Sequence, residues 1–217
     1  MTDFLYPFID AEERDASSLL TDLARSAEAK AAESRDLAAD TLAASGDAIA
    51  AAAGAIAERF TAGGRLFAFG NGGSSTDAAG VATLLVRPPT GPSLPARSLA
   101  ADTAVLTALG NDVGFDLVFS RQLIAYASAS DIALGLSTSG SSENLAVAFA
   151  EARHRGLLTI GLAGFDGGRM AVSPDIDHCI VVRSDSVHRI QEAQAAVIVA
   201  LWRGVHRALD GERVDAS

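Results

Sequence analysis

Apolar positions follow two different patterns along the chain, and the change between them comes near residue 65. Up to residue 60 the sequence is rich in Ala, Glu, Asp and Arg, with no proline after Pro7. Residues 10–60 are predicted as two helices, with Ser45-Gly46-Asp47 as the break between them. In the second helix Ile49, Ala53, Ile56 and Phe60 recur at i, i+4, i+7 and i+11, one apolar face of a helical period. The first, Ala-rich helix is expected on the surface or at a subunit contact.

Beyond residue 65 short apolar runs alternate with helical stretches. The runs are 65–69, 96–100, 132–136, 158–162 and 179–182, roughly 20 to 35 residues apart. Runs that stay apolar, rather than alternating with polar residues, belong to strands buried on both faces. Helices between such strands make βαβ units and a parallel sheet. Residues 190–209 are again predicted helical. No internal repeat or linker interrupts the pattern, so one α/β domain is expected. Residues 1–60 form its N-terminal helices, residues 61–210 the sheet and its helices, and residues 211–217 a polar tail.

Composition supports a folded domain and narrows its partners. The chain has 217 residues, 49% hydrophobic and 20% charged, which excludes disordered and fibrous classes. No apolar run reaches the roughly 18 to 20 residues that span a bilayer. The start, MTDFLYPFIDAEER, is acidic and is not expected to act as a secretory signal. The single cysteine, Cys179, cannot form an internal disulfide and is expected as a core thiol. A cytoplasmic protein with no membrane contact follows. The formal charge of −10 argues against direct nucleic-acid binding, which draws its affinity from neutralised phosphates. It leaves room for a small phosphorylated ligand, because backbone amides and helix ends bind anions locally.

Two strand-to-helix turns carry that chemistry. The first is Gly70-Asn71-Gly72-Gly73-Ser74-Ser75; the second is Ser137-Thr138-Ser139-Gly140-Ser141-Ser142. Glycines let backbone approach a ligand closely, and free N–H groups at a helix start point toward it. The hydroxyls of Ser137, Thr138, Ser139 and Ser142 add hydrogen bonds to phosphate oxygens without net positive charge. Each turn alone has a structural alternative: a glycine-rich turn that binds nothing, and a serine cluster that only caps its helix. Both at equivalent places in one sheet favour a ligand site. Neither turn has the lysine of a P-loop, and Gly70, Gly72 and Gly73 lack the spacing of a dinucleotide fingerprint.

Five motifs in order resemble the sugar isomerase (SIS) domain. They are Gly70-Asn71-Gly72-Gly73-Ser74, Gly110-Asn111-Asp112, Ser137-Thr138-Ser139-Gly140, Gly164-Phe165-Asp166-Gly167-Gly168 and Arg189-Ile190-Gln191-Glu192. The resemblance covers residues 10–207 and is closest to the phosphoheptose isomerase branch. That branch includes sedoheptulose 7-phosphate isomerase and a non-enzymatic relative that associates with the bacterial replication initiator. The resemblance implies a doubly wound five-stranded parallel sheet with an N-terminal helical arm, assembled as a homo-oligomer, a tetramer or dimer. It places a sugar phosphate on Ser137, Thr138, Ser139 and Ser142, with Asn71, Gly72, Gly73 and Ser74 toward the sugar. Asn111 and Asp112 are expected near its hydroxyls and Gln191 at its reacting end.

The sequence departs from that branch at the metal. The resemblance implies a histidine and a glutamate on the helix after the glycine turn, then a glutamine and a histidine on the last helix. The corresponding residues here are Gly80, Leu84, Gln191 and Val199. A single amide cannot hold zinc, which takes three or four N, S or O donors, so no metal and no cofactor are expected. Moving a proton between adjacent sugar carbons still needs a base and a group that polarises the carbonyl. His188 and Glu192 are the candidates, with Gln191 beside them; Asp185 is a further carboxylate nearby. His188 and Glu192 have plain structural alternatives, an exposed helix-start histidine and an ion pair with Arg189. His154 is expected at a helix end, where a cation favours the dipole, and His178 and His206 match no motif. Two functions stay open: a metal-free ketose–aldose isomerase of sedoheptulose 7-phosphate or a related sugar phosphate, and a non-catalytic sugar-phosphate sensor or adaptor acting through a protein partner.

Overall fold

The computed structural model describes residues 16–215. Two long helices lead in, α1 (Ala16–Ala44) and α2 (Gly46–Thr61). The remaining elements are β1 (Leu66–Gly70), α3 (Gly73–Val86), β2 (Ala96–Ser98), α4 (Thr103–Asp112), α5 (Val118–Tyr126), β3 (Ile132–Ser137), α6 (Glu143–His154), β4 (Leu158–Ala163), β5 (His178–Val181) and α7 (Val187–Asp215). The five strands form one parallel sheet in the order β2-β1-β3-β4-β5. This is the doubly wound arrangement expected, with the break between the two leading helices at Ser45.

Alternating residues of the central strands feed two separate cores, which explains why these strands are apolar throughout. Leu66, Ala68, Ile132, Leu134, Leu136, Ile160 and Leu162 face α2, α3 and α7. Phe67, Phe69 and Ala133 face α5 and α6. Gly135 carries no side chain on that second face because the rings of Phe69 and Phe149, 5.3 Å apart, occupy the space. Each large buried side chain contributes roughly 1.5–3 kcal/mol.

Element ends differ from expectation in two places. The edge strand β2 stops at Ser98, two residues short, although Leu99 N still donates to Ala68 O at 2.8 Å. The last helix starts at Val187, where Ser186 O accepts from Ile190 N, and runs on to Asp215. Residues 211–215, expected as a tail, therefore continue α7; residues 1–15, 216 and 217 lie outside the described residues. No helix is long and apolar enough to cross a membrane among the described residues.

The strand order locates the site. The chain passes from β1 to β2 on one side and then crosses to β3 on the other, so winding reverses between β1 and β3. Ligands of open parallel sheets bind beyond the strands' carboxyl ends at such a reversal.

Candidate functional site

Both glycine- and serine-rich turns leave the sheet at that reversal. β1 and β3 are neighbours with Gly70 in register with Leu136, so residues 70–75 and 137–142 stand side by side. Gly70 is required there, since a Cβ would lie 2.6 Å from Ser74 O and 2.9 Å from Leu136 O. The turns are also joined by side chains. Asn71 Nδ2 donates to Asn144 Oδ1 at 2.8 Å, and Asn144 Nδ2 donates back to Asn71 Oδ1 at 2.9 Å.

In the second turn the hydroxyls face one another rather than capping the helix. Ser137 Oγ lies 3.3 Å from both Ser139 Oγ and Ser142 Oγ. Gly140 N donates to Ser137 Oγ at 3.1 Å. Ser142 occupies the N-cap position of α6, yet its side chain makes no capping bond. The partial positive charge and unpaired N–H groups at the start of this 12-residue helix are therefore not met by a capping side chain. That geometry suits an anion better than a simple capping cluster does. Ser74, on the first turn of α3, is buried, and its N donates to Asn71 O at 3.0 Å.

Two neighbours of this turn were not legible in the sequence. Asn144 looked like an ordinary helix residue, because its partner is 73 positions away. Arg169 follows the Gly167-Gly168 motif rather than either turn, so nothing in its neighbourhood along the chain marks it. Its Nη2 donates to Ser141 O at 3.1 Å and to Glu143 Oε2 at 2.7 Å, so one guanidinium borders the serine turn after all.

The start of α7 supplies the other wall. Gln191 packs its amide against the first turn so closely that a Cβ on Gly73 would lie 2.2 Å from Gln191 Nε2. That Nε2 donates to Asp77 Oδ2 at 3.2 Å. Burial pushes the Asp77 carboxyl up, and the Gln191 bond offsets part of the rise. This contact spans 114 positions, so the sequence alone gives no sign of it.

The other sequence candidates are placed differently. Glu192 is bonded by Ser34 of α1 and by Arg189, and these hold its carboxyl below the usual range; the Ser34 bond is the largest cause. His188 and Asp185 are exposed. Asn111 and Asp112 end α4, exposed, where Asn111 Nδ2 donates to Asp112 Oδ1 rather than to either turn. His154 closes α6, His178 opens β5, and buried His206 lies between the carbonyls of Trp202 and Pro92. Burial pushes the Cys179 thiol up to about 11, which leaves it unreactive near neutrality.

The donor set does not fit a zinc ion. A Cβ on Gly80 would meet nothing within 4 Å, so that position offers space and no ligand. Leu84 lines an apolar cavity of about 20 Å³ with Ile198, Leu201 and Trp202. Val199 lines a groove against α2, whereas Gln191 faces α3. Among the described residues no three His, Cys, Asp or Glu side chains gather where they could share a metal.

Residues 31–164 match the model of the SIS domain. The chain belongs to the SIS domain family. Within this family the chain is 48% identical, over 67% of its own length and 75% of the relative's, to a phosphoheptose isomerase of Sulfurimonas denitrificans. It is 44% identical to that of Pelobacter propionicus, over 70% of this chain and 80% of the relative. Among solved structures, the phosphoheptose isomerase of Neisseria gonorrhoeae superposes with a TM-score of 0.78 at 34% identity, covering 84% of this chain and 98% of that one. The branch of the SIS family to which this chain is similar is thus that of the phosphoheptose isomerases.

Proposed function

We propose that this SIS domain binds a phosphorylated sugar of the heptose phosphate class at the β1/β3 reversal. The observation that carries the proposal is the pairing of two ligand turns there, one of them a ring of hydroxyls at a helix start without a side-chain cap. In this reading Ser137, Thr138, Ser139 and Ser142 hold the phosphate, and Asn71, Gly72, Gly73 and Ser74 face the sugar. Gln191 meets the reacting end. Asn111 and Asp112, exposed on α4, serve a site shared between subunits of a homo-oligomer.

The chemistry proposed is ketose–aldose isomerisation without a resident metal. A base takes the proton from the carbon beside the carbonyl; the C–H pair becomes the C=C bond while the carbonyl π pair moves to its oxygen, which takes up a proton to give an enediol. The other hydroxyl then gives up its proton and becomes the new carbonyl, as the C=C pair takes the carried proton onto the former carbonyl carbon. His188 and Glu192 are the proposed proton carriers, with Gln191 orienting the carbonyl. The bonds from Ser34 and Arg189 make Glu192 a weaker base than a free carboxylate.

A second reading, a non-catalytic sugar-phosphate sensor acting through a protein partner, is favoured by one specific observation. Three of the four positions that would hold the metal carry Gly80, Leu84 and Val199, while the phosphate turn is complete. An NMR time course of sedoheptulose 7-phosphate with chelator-treated protein in deuterated water separates the two. Deuterium exchange that vanishes in His188→Ala supports the isomerase. Line broadening without exchange supports the sensor. Neither signal overturns heptose phosphate as the ligand.

A further inference from the structure

Asn71 and Asn144 form the only side-chain hydrogen bonds that join residues 71–75 to residues 137–144 among the described residues. Asn144 is 2% exposed and lies two residues beyond Ser142, on the first turn of α6. The same helix therefore starts at the serine turn without a side-chain cap and grips the glycine turn with its second residue.

The reciprocal arrangement does not depend on how the amides are oriented, because rotating both by a half-turn restores the same two bonds. Neither amide is saturated. Each Nδ2 keeps a second hydrogen and each Oδ1 a second lone pair, so Asn71 can bond a sugar hydroxyl while Asn144 holds it.

Beyond the close approach at Gly70 and the packing of Gln191 against Gly73, no other side-chain hydrogen bond ties the two turns together among the described residues. The hydrogen bonds of residues 71–75 are otherwise local, from Ser74 N to Asn71 O, and from Ser75 N and Ser75 Oγ to Gly72 O. Gly72 has φ of +55° and a Cβ there would meet nothing within 4 Å, so packing does not hold it. The amide pair supplies the missing constraint.

We infer that Asn144 is a positioning residue and that its pair with Asn71 sets the span between phosphate grip and sugar-facing turn, a gauge of ligand length. The inference rests on the sugar-phosphate reading given above. A phosphate seated on residues 137–142 presents its carbon chain to Asn71 at a fixed separation. Ligands whose hydroxyls fall at that separation gain the Asn71 contact, and shorter or longer ones do not. Orthophosphate, which touches only the serine turn, is indifferent to the gauge.

Calorimetric titration of the full chain with orthophosphate, ribose 5-phosphate, fructose 6-phosphate and sedoheptulose 7-phosphate tests this. Wild-type protein is expected to prefer one chain length. Asn144→Ala and Asn71→Ala should each keep orthophosphate affinity within about twofold while the preference among sugars falls about tenfold, the scale of one or two lost hydrogen bonds. The double variant should be no worse than Asn71→Ala alone, because Asn144 acts only through Asn71. If Asn144→Ala does not fold, Asn144→Leu, which fills the same buried space without the amide, carries the test. Orthophosphate affinity falling in parallel with sugar affinity, or a preference that survives in Asn71→Ala, overturns the gauge while leaving the binding site standing. Wild-type protein that binds orthophosphate and no sugar phosphate overturns the underlying reading and the gauge with it.

Discussion

A Cβ on Gly140 would stand 2.1 Å from the carbonyl oxygen of Gly167, so the serine turn rests directly on the backbone of the turn that follows β4. Gly140 also has φ of +61°, a left-handed conformation that costs other residues roughly 1–2 kcal/mol. Gly140→Ala therefore combines backbone strain with a clash against main chain that has no side chain to move aside. The expected result is a loss of about 2 kcal/mol or more in urea unfolding, together with loss of sugar-phosphate binding in titration calorimetry.

Ser139 tests the phosphate grip without that structural cost. It is exposed, and among the described residues its Oγ pairs only with Ser137 Oγ and Ser141 N. Ser139→Leu should unfold like wild type yet bind sugar phosphates roughly tenfold more weakly or worse, since a hydroxyl donor is lost and bulk enters the turn. Unchanged affinity would move the phosphate elsewhere.

Asp131 sits at the opposite end of the sheet and controls stability rather than binding. It is 1% exposed and accepts from Arg65 N at 2.7 Å, Ser128 N at 2.8 Å, Ser128 Oγ at 3.0 Å and Arg65 Nη2 at 3.1 Å. Burial alone would raise its pKa, but these bonds outweigh it and hold the carboxyl below the usual range. A depressed folded pKa means the native state prefers the ionised form. That stability is present above the unfolded value, about 3.9, and is lost as pH falls through the folded one. Asp131→Asn should cost about 1–3 kcal/mol at pH 7. The variant's unfolding free energy should also fall less steeply than wild type's as pH drops below about 4.

Metal content is a direct check on the departure at Gly80, Leu84 and Val199. Protein purified without added metal should contain no stoichiometric zinc by mass spectrometry. Chelator treatment should leave the melting temperature and sugar-phosphate affinity unchanged. Retained zinc that chelation removes with a fall in melting temperature would refute a metal-free site.

The local elements were legible because each is specified by neighbouring residues. Continuous apolar runs marked β1, β3 and β4, where both faces are buried, and the period of Ile49, Ala53, Ile56 and Phe60 marked α2. The Gly70 and Ser137 segments were legible as strand-to-helix turns because glycine and hydroxyl content act within a few residues. Helix ends were less legible. Gly211 did not stop α7, since a glycine costs a helix only about 1 kcal/mol.

Sequence by itself determined the strands, the helices, the two turns and the family, all of which rest on short-range pattern or ordered motifs. Tertiary structure alone decided which turns meet and which side chains are already engaged. Only the strand order puts β1 beside β3 and so brings Asn71 to Asn144. Only the packing of α1 on α7 brings Ser34 to Glu192, and only α3 against α7 brings Asp77 to Gln191. These pairs are 73, 158 and 114 positions apart. Periodicity reports which face of an element is buried; it carries no record of the neighbour, which is chosen by sheet pairing and helix packing over the whole domain.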